Sequence, residues 1–486
     1  KSMGDLSLAT VQSKTAAVQL RGLGVLKITE LLAYNDIDMD GSGFSLTSAT
    51  VTSEHGNLLM NLGGALSADN LNASQGLWNL KAGSADIGTA SIGHAVDMTL
   101  AGDLRLDQLT AGGAWTLDAH NASLGVADIT GQVDTTLSGD LQQLTRLVGQ
   151  SGWTLKALNA SIGEADLKGA VQQTVSGVLD MTDLKAGGLW NLASKTATVA
   201  KADVTGAVDM TQTGLLTLGT LLGASTWTLD GTDASIGNAA VSGQVTTTLS
   251  GSLLQLTKLV GQSGWTLNAI NADIGSADLQ GDVQQTLTGV LDMDSLTARG
   301  LWTLKGHTST IRSAAVDKAV AITQTGLLKL TSLTSKDSLV LNGTDAQIGS
   351  ADITDTSAIT LTGDLELAAL SSGDDASLSI GSGSAIGSLN VTGELDLNVA
   401  GVLDLDAATS TGNTLLHHRG LAGTALRYGD LNVGGGLSVT GLGDWTGNDA
   451  SVVGDASYDV GSADLHSLIS NTGTLSLYAL GLFAAD

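Results

Sequence analysis

Tryptophan is the most regularly placed chemistry-bearing residue in this chain. Trp78, Trp115, Trp153, Trp190, Trp227, Trp265 and Trp302 follow one another at intervals of 37 or 38 residues, and Leu339 takes the next place. An indole offers a broad apolar face and a single N–H donor, so such a series has two uses. Turned inward it packs a core, and parity with Leu117 points Trp115 inward. Turned outward it forms a ladder able to stack on the sugar rings of a cell-surface glycan. The slot matched to Trp in the alternate half-repeats holds Met98, Thr135, Gln173, Val208, Thr247 and Gln285. That mixture is unusual for a fully buried position.

Aspartate forms a second series: Asp128, Asp166, Asp203, Asp278 and Asp352, each between Ala and an apolar residue. Repeated Asp suggests calcium, but the G-G-x-G-x-D pattern is absent. Carboxylates two coils apart lie ~10 Å from each other, too far to share an ion whose ligands sit within ~2.6 Å. The series therefore reads as a solvated outward row, and no metal or cofactor is expected. His417, His418 and Arg419, with Arg427 and Tyr428 nearby, make the most unusual local cluster. Such a loop cluster suits an anion or sugar contact, and a plain solvated insertion is the simpler reading. Asn72-Ala-Ser, Asn121-Ala-Ser and Asn159-Ala-Ser match glycosylation sequons. They are read as one point of the repeat, where turn chemistry accounts for them.

Catalytic motifs are missing. There is no G-x-S-x-G, no H-E-x-x-H and no G-x-x-x-x-G-K. Gly381-Ser-Gly383 with Gly387 misses the dinucleotide fingerprint by one residue. The basic residues, 21 in 486, show no grouping along a groove. The chain is expected not to be an enzyme.

Composition limits what could position any site. Cys is absent, which removes disulfides and thiolate chemistry. Pro is absent and Gly numbers 64, which suits unbroken sheet ladders with tight corners where Gly reaches φ > 0. Of 48 acidic residues only Glu30, Glu54, Glu164, Glu366 and Glu394 are Glu, and Asp favours turns over helix interiors. A net charge of −27 and a pI near 4.3 repel phosphate backbones and anionic bilayers, so neither nucleic acid nor membrane insertion is expected. No stretch reads as a signal peptide in Lys1–Thr10 or as a spanning helix elsewhere. The opening Lys suggests a processed product or a piece of a longer chain.

The elements follow from the repeat. Around each Trp the sequence reads W-T-L-x-A-x-x-A-S-I-G-x-A-D-L-x-G, and the following half reads x-V-x-x-T-L-S-G-x-L. Aligning Leu80, Leu100, Leu117, Leu137, Leu155 and Val175, and so on to Leu361, gives a true period near 19 residues. Apolar residues alternate in runs of three to five between Gly, Asn, Asp and Ser, the signature of short strands. About three strands per coil, stacked through about 26 coils, describe an all-β, right-handed parallel β-helix paired into 37-residue units. Trp115/Trp227, Trp153/Trp265 and Trp190/Trp302 are each 112 apart, so a block of six coils is duplicated. Residues 77–405 form the regular part. Residues 1–76 hold degenerate coils, with Phe44-Ser-Leu46 as a degraded Trp slot. Residues 406–486 are irregular, with at least one coil at Trp445 and an apolar, uncapped end from Leu475 to Phe483.

The Gly/Ser/Thr/Asp-rich coils, with Ser138–Leu144 (SGDLQQL) and Thr362–Leu367 (TGDLEL), resemble the filamentous haemagglutinin family of two-partner-secretion exoproteins and the contact-dependent inhibition stalks. The resemblance implies a β-helical shaft exported to the bacterial cell surface and used for adhesion or display. An amino-terminal secretion domain is not evident, and the Trp-marked pairing is not a hallmark of that family. The expectation is a structural, extracellular rod. Its partners would be further copies end to end or a larger parent adhesin. The rival is a carbohydrate-binding or polysaccharide-cleaving β-helix using an exposed Trp ladder.

Overall fold

The computed structural model describes residues 4–481 and the backbone of Phe483–Ala485. Every regular element among them is a β-strand. Successive coils pair in parallel, about 19 residues apart, to give a β-solenoid of about 25 turns. Contacts divide the chain into two compact units, Lys1–Gly243 and Gln244–Asp486.

In the first unit one coil serves as the pattern. The strand Trp115–Ala119 alternates strictly, with Trp115, Leu117 and Ala119 inward. The strand Ala122–Ile129 starts the same way, but Gly125 and Val126 both face away from the core before the alternation resumes. Alternation can slip by one residue only where the strand bends, so the coil has three straight runs, as the spacing of apolar residues predicts. Trp115–Ala119 pairs with Val96–Leu100 on one side and Val133–Leu137 on the other. Ala122–Ile129 pairs with Leu104–Ala111 and Leu141–Gly149.

The bend explains its glycine, though not through φ > 0. Positive φ among the described residues occurs only at Gly24, Gly223, Gly423 and Gly441. At Gly125 the reason is close approach: a Cβ there would lie 2.0 Å from the Asp107 carbonyl oxygen of the adjacent coil. The Gly of A-S-I-G is thus a contact requirement between coils.

The ladder also corrects the sequence alignment by two residues. Leu117 pairs with Thr135 and Leu155 with Gln173, while Leu137 pairs with Ala119 and Val175 with Ala157. Opposite Trp115 and Trp153 stands Val133, and Val171 follows. The polar residues therefore occupy the slot beside the Trp column.

With the register corrected, the 37-residue pairing has a packing cause. The coil bearing Trp115 carries Ala119, Ala122 and Ala127 at other inward slots. The next coil carries Val133 with Leu137, Leu141 and Leu147. One large ring with small neighbours alternates with one small residue among large ones. Such volume matching fills a core to native density without strain. In the first coils the Trp slot holds Val18, Ile37 and Leu58. Phe44 is not part of it, because Leu46 pairs with Leu66 in a column of the longer strands.

The second unit repeats this cross-section. Trp265 pairs with Val283 and Trp302 with Val320, after which Leu339, Ser357 and Ala376 continue the column. Coils persist through the stretch that breaks the sequence period. Leu395 pairs with Thr414, and Thr414 with Leu437, where four extra residues are accommodated between Arg419 and Ala425. Trp445 lies in a coil but outside the Trp slot, paired with Leu426 and Ala463. Leu475, Leu477, Tyr478 and Leu480 are exposed. Leu482 and the Phe483 side chain lie outside the described residues, as do Lys1–Met3.

Candidate functional site

The Trp column lies inside. Trp78, Trp115, Trp153, Trp190, Trp227, Trp265 and Trp302 are all at most 2 % exposed, and so is Trp445. No indole face is open to a sugar, which removes the outward ladder. Acrylamide is expected to quench the fluorescence of the folded chain weakly, and added polysaccharide to leave the emission unchanged. Strong quenching before unfolding would contradict this burial.

The neighbouring polar slot serves the indoles. In the first unit Trp190 Nε1 donates to Gln173 Oε1 at 3.1 Å, and Trp153 Nε1 makes a longer contact, 3.4 Å, with Thr135 Oγ1. The second unit repeats both, Trp302 to Gln285 at 3.1 Å and Trp265 to Thr247 at 3.4 Å. The same slot holds Met60, Met98 and Met210 beside Trp78, Trp115 and Trp227, and those three indole N–H groups have no hydrogen-bond partner. The odd mixture is therefore a set of acceptors, present or replaced by Met. The Gln amides are half satisfied, since Nε2 of Gln173 and of Gln285 is unpaired. Gln173→Met strands the Trp190 N–H but removes an orphan donor, so the stability read from urea unfolding is expected to change by about 1.5 kcal/mol or less. A larger loss would assign the indole–amide bond a bigger share.

The Asp series faces outward. Asp128, Asp203, Asp278 and Asp352 are exposed, and half-buried Asp166 has Lys185 at 3.8 Å. No group of three or more His, Cys, Asp or Glu suited to a metal occurs among the described residues. Other Asp and Asn side chains work at corners. Asn121 Nδ2 donates to Asp103 at 2.9 Å while its Oδ1 accepts the Asp140 N–H at 2.8 Å. Asn159 repeats this with Asp140 and the Val178 N–H. Asn271 does so in the second unit with Ser252 and the Val290 N–H. Two sequon asparagines are thus corner clamps. Asn72 is not at that point of the repeat; it stands exposed in the strand Ala65–Ala73, paired with Thr52 and Ser91.

The histidine cluster is split by strand parity. His417 faces out and shares a hydrogen bond with Thr440 Oγ1, and exposed Arg419 donates to Ser379 Oγ at 2.9 Å. His418 points into the core, 3 % exposed, in the slot that Leu361, Ile380 and Val399 fill in the preceding coils. These three residues do not converge on one ligand. Arg427 is held by Asp404 and Asp406. Tyr428 is buried and shares a 2.7 Å hydrogen bond with Tyr458. Burial pushes the Tyr428 phenol up to about 12 and raises that of Tyr458 further.

An outer trough of about 600 Å³ crosses the second unit beside Asp345, Gln347, Asp364, Glu366, Ala385 and Asp404. Its carboxylates are largely engaged: Asp345 and Asp364 accept the backbone N–H groups of Asp364 and Gly383, and Asp404 holds Arg427. No helix of the described residues is long and apolar enough to cross a membrane. Compared with family models, with curated proteins and with solved structures, the chain matches none.

Proposed function

We propose that the chain is a structural, non-enzymatic β-solenoid, serving as shaft of a secreted bacterial adhesin or as subunit of a cell-surface filament. The observation that carries this reading is the use of its chemistry-bearing side chains. The indoles and amides of the repeat are consumed in packing coils, and the corner carboxylates and amides in tying each coil to the next. The phrases Ser138–Leu144 (SGDLQQL) and Thr362–Leu367 (TGDLEL) and the lack of Cys support export to a surface. Its partners on this reading are further copies or a larger parent adhesin.

The test has two arms. Polysaccharides incubated with the chain should release no new reducing ends, and a glycan array should show no binding; release would overturn the non-enzymatic reading, and binding the purely structural one. Electron microscopy in negative stain then separates the two forms. Long uniform fibres would assign the filament subunit, and separate particles the shaft.

A further inference from the structure

His418 is the one imidazole buried in a core slot among the described residues. Neither ring nitrogen makes a well-formed hydrogen bond there, and the Ala400 carbonyl is the one acceptor that acts on the ring. The ring is wedged among glycines: a Cβ on Gly420 would lie 2.4 Å from Nε2, and one on Gly443 3.0 Å from Nδ1. Two positive-φ residues, Gly423 at 80° and Gly441 at 125°, belong to the same surroundings. This is also the coil lengthened by four residues, where pairs are 23 apart instead of 19.

A proton on this ring would be a buried cation without a counter-ion. Asp396 on the preceding strand, Asp404, Asp406, Arg427 and Asp430 on the longer strands, and Asp444 and Asp449 on the following strand all face solvent. Of the charged neighbours only His417 acts on the ring, and by repulsion; the Ala400 carbonyl favours the proton, but burial outweighs it and lowers the affinity of the ring.

We infer that His418 makes this coil an acid-opened element: proton uptake releases the segment from Thr414 to Leu437 while the regular coils stay closed. The sign follows from linkage. The closed coil holds the neutral ring, and the open coil binds a proton with ordinary affinity near pH 6.5. The closed form is therefore fully favoured above about pH 6.5, and it loses ground as pH falls toward the lowered value of the closed coil.

Amide hydrogen exchange on the full chain tests this at pH 7.5 and 5.0, corrected for intrinsic rates. Protection across 414–437 should fall at pH 5.0, by at most about thirtyfold, the limit set by the roughly 1.5 pH units between the open-coil affinity and the lower pH. Protection at Trp190–Val204 should be unchanged. His418→Val places at this slot the residue found at Val399, so it should fold and hold its protection at both pH values. His417→Gln should keep the acid response. Equal protection of the parent at both pH values, or an acid loss that survives in His418→Val, would overturn the proposal.

Discussion

Trp302→Ala is expected to destabilise the chain by about 5 kcal/mol. Truncating a buried Trp to Ala costs about 3–5 kcal/mol in lost transfer energy and cavity. Here it also strands a buried acceptor, since Gln285 Oε1 receives the Trp302 N–H at 3.1 Å and Gln285 is itself fully buried. An unsatisfied buried group adds about 1–3 kcal/mol. Trp115→Ala is the matched comparison, because its indole has no partner to strand. It should fall at the lower end, about 3–4 kcal/mol. Coils contact only their neighbours, so unfolding need not be two-state. The loss should therefore be read as urea midpoints together with exchange at the flanking coils. Equal losses for both variants would mean that the indole–amide bond adds nothing to packing.

Gly125→Ala should be nearly as damaging for the addition of one methyl group. That carbon would sit 2.0 Å from the Asp107 carbonyl oxygen, and the obstacle is ladder backbone that cannot swing aside. Overpacking costs about 1–3 kcal/mol, and an immovable neighbour puts this case at about 3 kcal/mol or above. Gly383→Ala is the control. Its nearest neighbour would be Asp364 Oδ1 at 3.5 Å, so the same substitution should be neutral, or stabilising by about 0.5 kcal/mol through the unfolded chain. Protection should vanish across Leu104–Ala111 and Ala122–Ile129 in the first variant and persist in the second. Matching stabilities would leave the bend glycine without a contact role.

Much of this fold is legible in the residues. The runs between turn residues have the length of short strands, and the interval of 37 or 38 between Trp residues is two coils. The exact register is not, because the Trp half carries its Leu two residues after Trp, at Leu117, whereas the other half carries its Leu four residues after Val, at Leu137. Leu137 can be laid on Leu117 as readily as Thr135 can, and only backbone pairing decides. The error made Thr135 and Gln173 look like occupants of the Trp slot, whereas they are its hydrogen-bond acceptors. A test for complementary volume would have found the answer: Ala119, Ala122 and Ala127 accompany Trp115, and Leu137, Leu141 and Leu147 accompany Val133. The inward turn of His418 was legible from its parity with Leu416. Its lack of well-formed hydrogen bonds was not, since that depends on glycines 2 and 25 positions away.

The alternation of a Trp-with-Ala coil and a Val-with-Leu coil also governs how such a chain can grow. Removing or adding one coil would set two rings of the same kind against each other, crowding aromatic on aromatic or leaving Ala over Ala. Removing or adding two restores the phase. The duplicated block of 112 residues, three pairs long, obeys that parity. Within the alternating stretch from Trp78 to Val320, length is counted in even numbers of coils, and an extension of that stretch by recombination or design inherits the same arithmetic.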